Sequence, residues 1–476
     1  MKVMFLNPPF EKGVINRPVR FQAVSPQKAV HPPIDLALAA AVLLEDEKVK
    51  NEVDVIDAPA LDLNFNSTIE KIQEFNPEML VCLTSTPSVI SDAKFVKLVK
   101  EKLPELKTVT FGVHASSEPE DTLKRGFDIV ARGEIEYTVK DLARKMPLEK
   151  VLGINYLKKG RMISNPQRPL IQNLDELPFP ARQFLPNYKY YSALYRNPFT
   201  FLNAGRGCPF QCIFCATPKV ISGRGYRLRS PENVLAELKH LKENYKFKSV
   251  LFNDDTLTAS PKNTEKLCDL MIKEKIKMPW VCYSRVDTIT QDLADKMKKA
   301  GCFLVKIGFE SGNDALLQRM KKGPNATTVQ ALKAARIFNK AKIQVHGTFV
   351  FGLPGETKET IRETIEFAKK LDIDFVQFSI AQPYPGTELY DYLKEKGHLK
   401  VKDWDSYLNE CGNVAPVFEY EHLSKEELEQ AIKIAYKEYY LRAGFLFKAI
   451  RKRITNPNLL KSSFKSGKNL LTYMRS

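Results

Sequence analysis

Three of the chain's eight cysteines fall within eight positions, in Arg206-Gly207-Cys208-Pro209-Phe210-Gln211-Cys212-Ile213-Phe214-Cys215, spaced C-x₃-C-x₂-C. Soft thiolates at such short spacing select zinc or an iron–sulfur cluster. Structural zinc takes four protein ligands, usually from two paired knuckles, and the chain has no second C-x₂-C. A cubane has four irons and this loop offers three thiolates, so one iron stays open. A zinc site and a chance grouping of core thiols are the competing readings. On the cluster reading, that iron is open to an exogenous ligand.

The elements that must position this loop are strands and helices in alternation. From Phe199 onward, strands are expected at Phe199–Asn203, Ser249–Phe252, Trp280–Tyr283, Phe303–Phe309, Gln344–Phe351 and Phe375–Ala381. Helical runs follow them, as at Pro231–Tyr245, with proline in the first turn, and at Lys358–Leu371. Residues 1–145 alternate in the same way. Apolar runs at Val3–Leu6, Val53–Ile56, Met79–Leu83, Thr108–Phe111 and Asp128–Val130 read as buried parallel strands, with helices clearest at Ile34–Glu47 and Val89–Lys102. Five such units make a doubly wound sheet, which binds ligands at the carboxyl ends of its strands. No G-x-G-x-x-G follows the first strand, which argues against a dinucleotide. Residues 146–197 read as a connector, with a hairpin around Val151–Tyr156 and the stiff link Leu177-Pro178-Phe179-Pro180. The expected division is therefore 1–145, 146–197, 198–396 and a helical, basic 397–476, in an α/β chain.

Cys208, Cys212 and Cys215, with aromatic Phe214 before the third, resemble the signature of the radical SAM enzymes. The resemblance implies a partial (β/α)6 TIM-like barrel over 198–396 and a [4Fe-4S] cluster on the three cysteines. It also implies S-adenosylmethionine chelated at the open iron and cleaved, after reduction by a flavodoxin- or ferredoxin-type donor, to a 5′-deoxyadenosyl radical. Such barrels work at the carboxyl ends of their strands, and further motifs fall there. Asp254 and Asp255 stand where many members carry Gly-Gly-Glu, and are carried over as acceptors for the cosubstrate's ammonium. Ser284 and Arg285 end strand three, with Arg285 facing the carboxylate. Glu310 ends strand four, toward the ribose or amino group. Leu353 and Gly355, in Gly352-Leu353-Pro354-Gly355-Glu356-Thr357, resemble the adenine-side loop, and Pro383 lies in the last strand-end motif. The bland readings are a helix cap for the aspartates, an ion pair between Glu310 and Arg285, and a plain helix start at Leu353–Thr357.

The first 145 residues resemble the cobalamin-binding domain fused to one large class of these enzymes. The matching positions are Asn7 and Pro8 after strand one, Thr84, Ser85 and Thr86 after strand three, Gly112 and His114 after strand four, and Gly133 after strand five. No D-x-H-x-x-G is present, so cobalamin is expected without a histidine on cobalt, His114 lying on the wrong loop for that role. A degenerate sheet that only packs on the barrel is the alternative.

Composition sets the remaining bounds. Cys82, Cys268, Cys282, Cys302 and Cys411 stand among apolar neighbours and read as reduced core thiols, which suits a cytoplasmic protein. The apolar run through Ala37–Leu44 is far too short to span a bilayer, and Met1–Leu6 meets Asn7-Pro8-Pro9 too soon for a signal peptide. The net charge of +17 invites a nucleic-acid reading, but Leu441 to the end carries nine Lys or Arg and no acid. That tail repeats apolar residues at helical spacing (Ala443, Leu446, Phe447, Ile450, Ile454) and suits peripheral contact with an anionic membrane, or helices docked on the barrel.

Over nearly its whole length the chain is similar to the hopanoid-biosynthesis subgroup, through Thr84–Pro87, Arg206–Cys208, His346–Phe349 and Ala381–Thr387. That implies radical functionalisation of an unactivated carbon, with cobalamin-dependent methyl transfer to a small-molecule or isoprenoid-type lipid substrate. A radical rearrangement or cyclisation without methyl transfer is the first alternative. An RNA-modifying radical SAM enzyme is the second. It is disfavoured because methylthiotransferases of that kind need a second cysteine triplet, and residues 1–145 hold only Cys82.

Overall fold

The computed structural model describes residues 1–11, 15–17, 29–410 and 412–445. Its first half is built on β1 (Lys2–Asn7), β2 (Glu52–Asp57), β3 (Met79–Leu83), β4 (Lys107–Phe111) and β5 (Ile129–Ala131). These pair in parallel in the order β2-β1-β3-β4-β5. Val3, Phe5, Val81 and Val109 supply one buried face, while Met4, Leu6, Leu80 and Cys82 supply the other. Covering both faces with helices is what makes these strands read as unbroken apolar runs. The connector contributes a hairpin, β6 (Ile154–Lys158) and β7 (Arg161–Ser164), which adds two antiparallel strands to the edge at β5.

The second half is an open barrel wall of six parallel strands, paired side by side in chain order. They are β8 (Phe199–Leu202), then, after the short ribbon of β9 (Gly205–Arg206) and β10 (Arg227–Leu228), β11 (Ser249–Phe252), β12 (Trp280–Ser284), β13 (Cys302–Glu310), β14 (Gln344–Phe351) and β15 (Phe375–Ile380). Period-two alternation divides the side chains. Val305, Ile307 and Phe309 of β13, and Val376 and Phe378 of β15, join the core beneath the outer helices. Lys306, Gly308, Gln377 and Ser379 line the lumen. Phe201, Leu251, Val281 and Leu304, neighbours in the strand register, belong to one apolar cluster with Tyr190, Tyr195 and the first sheet's Val3 and Phe5.

The two halves are fastened where their sheets' carboxyl ends meet. Glu134, just after β5, pairs with Arg206 (3.1 Å) and Arg227 (2.7 Å), the two sides of the β9–β10 ribbon, and Glu136 also holds Arg206. A buried pair, Arg182 with Glu237 at 2.6 Å, ties the connector to the first barrel helix, Pro231–Asn244. The helix Lys425–Tyr440 packs on β15, its Tyr436 and Tyr440 hydroxyls donating to the carbonyls of Phe378 and Val376. No helix among the described residues is long and apolar enough to cross a membrane. The amphipathic pattern expected beyond Ala443 falls, from Leu446 on, outside the described residues, as does Cys411.

Candidate functional site

One cavity of about 390 Å³ runs down the barrel lumen, and all three cysteines of the loop after β9 open into it. Gly207 makes that loop possible. Its φ of +87° favours glycine, and a Cβ there would stand 2.1 Å from the Gly225 carbonyl oxygen. The close crossing of Gly207 by residues 223–225 sets where Cys208 emerges, and Arg206 anchors the same point to Glu134 and Glu136. Cys208 is nearly buried, with burial pushing its thiol up, and its Sγ lies 4.0 Å from the Thr256 hydroxyl. Cys212 and Cys215 are half-buried.

Thiolates sharing one tetrahedral zinc, at about 2.3 Å each, would crowd to within about 3.8 Å of one another. Among the described residues no three His, Cys, Asp or Glu side chains converge to grip a single ion. The described cysteines outside the loop, Cys82, Cys268, Cys282 and Cys302, are buried in the cores and supply no fourth ligand there. Three thiols spread around one open cavity fit a body larger than an ion, and so fit a cubane.

The strand-end residues divide. Phe214, Asp255, Ser284, Arg285 and Glu310 join the cysteines around the cavity. Asp254 turns away: its carboxylate accepts from the Ala204 N–H (3.0 Å) and the Tyr226 hydroxyl (3.1 Å), bracing the approach to the cluster loop. The suggested Glu310–Arg285 pair is replaced by two others. Glu310, at φ +67° on a register shift of β13, meets Lys322 at 2.7 Å. Arg285 is forked onto Asp287 (2.9 and 2.8 Å) and lies 3.5 Å from the Phe210 ring centre, on the cluster loop itself. Leu353 is buried in the barrel core, and Gly355 turns at φ +82° against Arg319. Their turn is pinned from within by Glu356, which accepts the N–H groups of Gly352 and Leu353 and whose carboxyl burial raises to about 8. Pro383 lends its carbonyl to Tyr407 (2.6 Å), and its neighbours Gln382 and Tyr384 face the cavity.

The first-half residues gather at the carboxyl ends of their strands. Asn7 bridges Arg17 (2.7 Å) and Asp57 (2.8 Å), and Pro8 follows it as the chain leaves β1. Thr84 donates to Asp92 (2.6 Å), and Ser85 pairs with Ser88. His114 sits between the Thr86 hydroxyl (3.3 Å) and Asp121 (3.4 Å), and burial pushes it below its usual range, so it is a neutral strut. The Gly133 N–H donates to the Ser116 hydroxyl (3.1 Å). The loop carrying Gly112 and His114 packs against the segment after the cysteines. Val113 clusters with Ala216, Val220 and Tyr384, and Ser117 lies against Gly386. The sheet's ligand-binding edge therefore faces the barrel mouth beside the cluster loop, a placement that fits a cofactor held by one half and used in the other. Residues past β1 that line the cavity itself, Asn16, Ala29 and His31, were not anticipated from sequence. Nor were Tyr283 and Lys306. A lysine amid the apolar run of β13 was the signal available for the last.

Residues 202–368 match the family described as the radical SAM superfamily, and residues 24–143 match the B12 binding domain. An uncharacterized methyltransferase of Pyrococcus horikoshii is 35% identical over 457 residues, covering 94% of this chain and 95% of that protein. The anaerobic magnesium-protoporphyrin IX monomethyl ester cyclase of Rubrivivax gelatinosus is 26% identical, covering 94% and 78%. The fold is shared with TsrM, a radical S-adenosylmethionine methyltransferase of Kitasatospora setae solved with cobalamin and a [4Fe-4S] cluster, at TM-score 0.70 and 16% identity, over 91% of this chain and 90% of that one.

Proposed function

Because this chain belongs to the cobalamin-dependent radical SAM methyltransferases, we propose that its cavity presents one unactivated carbon of a small, partly apolar molecule, such as an isoprenoid-type lipid, for methylation. The observation that carries this reading is that the cysteine loop and a substrate-sized lumen share one cavity, beside the first sheet's ligand-binding edge. When bound, the cluster, S-adenosylmethionine and cobalamin supply the electron, the hydrogen-abstracting radical and the methyl group. Cys208, Cys212 and Cys215 would hold three irons. Asp255, Ser284, Arg285 and Glu310 surround the space beside them, offering both acceptors and a cation to an amino acid moiety. Asn7, Thr84–Thr86, Gly112 and Gly133 would cradle cobalamin, while His114 props the loop and leaves cobalt alone. Leu194, Val350, Ile380 and Val414 give the cavity the apolar wall that a hydrocarbon body needs.

Anaerobic reconstitution followed by strong reduction tests the reading. The expected result is the spectrum of a [4Fe-4S] cluster, cobalamin bound to protein, and deoxyadenosine released. Product mass decides the outcome on substrate: methylation adds one CH₂ to the formula, whereas rearrangement leaves it unchanged. The second outcome stays in view because a cyclase aligns with 94% of this chain. A mononuclear tetrahedral ion in the loop, or no deoxyadenosine, would overturn the proposal.

A further inference from the structure

Resting on the reading of this cavity as the substrate site, we propose that the floor of the barrel lumen is an anion-binding subsite. There the Lys306 ammonium and the Tyr283 hydroxyl take a carboxylate or phosphate group of the substrate.

Strand register carries the argument. In parallel pairing Tyr283 stands beside Lys306 and Lys306 beside His346, three polar neighbours at one level of the wall, with Phe375 next in the row. The level beneath it is apolar, formed by Phe201, Leu251, Val281 and Leu304. Lys306 therefore stands at the lowest wet level of the lumen, with its Nζ 3.2 Å from the Tyr283 hydroxyl and 4.9 Å from that ring's centre. Both residues line the cavity, together with Tyr195, His31 and Gln377.

An ammonium among the Tyr195 and Tyr283 hydroxyls, the His31 imidazole and the Gln377 amide is a set of groups able to donate hydrogen bonds, gathered about one positive charge. Burial works against that charge, yet the phenol oxygens of Tyr195 and Tyr283 outweigh it and hold the lysine above its ordinary range. Burial, helped by Lys306, drives His346 far below its own range and His31 down to about 3, so both imidazoles are neutral. Glu310 lies four residues up the strand from Lys306, about 13 Å at the usual rise. A substrate tethered by its anion at the floor would reach toward the cysteines with its other end. The anchor would then select which carbon meets the radical, a matter of position.

The test uses the full chain with its cluster reconstituted without oxygen. Hexanoate and hexyl phosphate serve as probes against neutral hexanamide, with binding read by calorimetry and by thermal unfolding at constant ionic strength. At least one anion should bind the wild type, and Lys306→Met should weaken it about tenfold or more, the loss of one charge-assisted contact, while leaving hexanamide unaffected. Lys306→Arg should keep part of the affinity. The preferred anion assigns the group as carboxylate or phosphate. The proposal fails if neither anion binds, if hexanamide binds as well as both, or if Lys306→Met binds them like the wild type. Should Lys306→Met not fold, Tyr283→Phe replaces it: severalfold weaker anion binding supports the subsite and unchanged binding overturns it. No turnover enters these measurements. A failure to release deoxyadenosine would count against the catalytic reading alone.

Discussion

Replacing Asp92 with asparagine should loosen the carboxyl end of the first sheet, because that carboxylate is the hub of its buried polar network. Asp92 Oδ1 meets Arg17 Nη2 at 2.6 Å, and Oδ2 takes the Thr84 and Ser88 hydroxyls at 2.6 and 2.7 Å. Both side chains of the ion pair are fully buried. Arg17 passes the connection to Asn7, then to Asp57 and the connector's Tyr190. Asparagine keeps the shape and removes the charge, leaving a guanidinium buried without compensation. Breaking a buried pair from one side costs about 3–5 kcal/mol. Hydrogen exchange suits the measurement, since a chain of several domains does not unfold in one step. Amides of residues 79–92 should exchange about a hundred- to a few thousand-fold faster, at about 1.4 kcal/mol per decade, up to the limit of global opening. The double variant Arg17→Met with Asp92→Leu removes both charges and should recover part of the loss. Ser88 can turn to the Ser85 carbonyl, whereas Thr84 and the Asn7 Oδ1 lose their partners, for a residual of about 2–3 kcal/mol. Unchanged exchange in Asp92→Asn, or a double variant as damaged as the single one, would refute the reasoning.

Cys212→Ala should abolish the reconstituted cluster's spectrum while leaving far-ultraviolet circular dichroism unchanged, because that side chain is half-buried and outside the core. Gly112→Ala places a Cβ 2.2 Å from the Thr84 carbonyl at φ +123°, and should cost about 2 kcal/mol or more and weaken cobalamin binding. Gly126→Ala, at φ +114° with nothing within 4 Å, is its control and should cost about 1 kcal/mol by hydrogen exchange of the neighbouring amides and spare the cofactor. Glu356 carries a carboxyl pushed up to about 8 by burial, so the stability it lends is complete below its unfolded value near 4.5 and is lost as pH rises through 8. Glu356→Gln mimics the protonated form. Compared with the wild type it should gain several kcal/mol between pH 5 and pH 9, at about 1.4 kcal/mol per unit, and parallel stability curves would exclude the raised value.

Much of the fold was legible because parallel strands buried on both faces must be apolar throughout. Met79–Leu83 stands in the structure as the apolar run foretold, Ser249–Phe252 and Gln344–Phe351 stand as the strands foretold, and β5 is displaced by a single residue, to Ile129–Ala131. The cysteine triplet was legible for a different reason: a loop that binds a cluster carries its ligands close together in sequence, with no tertiary contact needed to assemble them. The partners of ionised groups were not legible. Glu310 could meet Arg285 or Lys322 equally well on strand-end reasoning, and a register shift in β13 with a positive φ turned it to Lys322. Of two adjacent aspartates, backbone direction alone sent Asp254 to Ala204 and Tyr226 and left Asp255 at the cavity. Lys306 gives the clearest contrast. Alternation along β13 determined that it shares a face with Gly308 and Glu310, while only closure of six strands around a lumen decided that this face encloses a cavity. Local pattern sets which way a side chain points from its own strand, and what it then meets is set by residues far away in the chain.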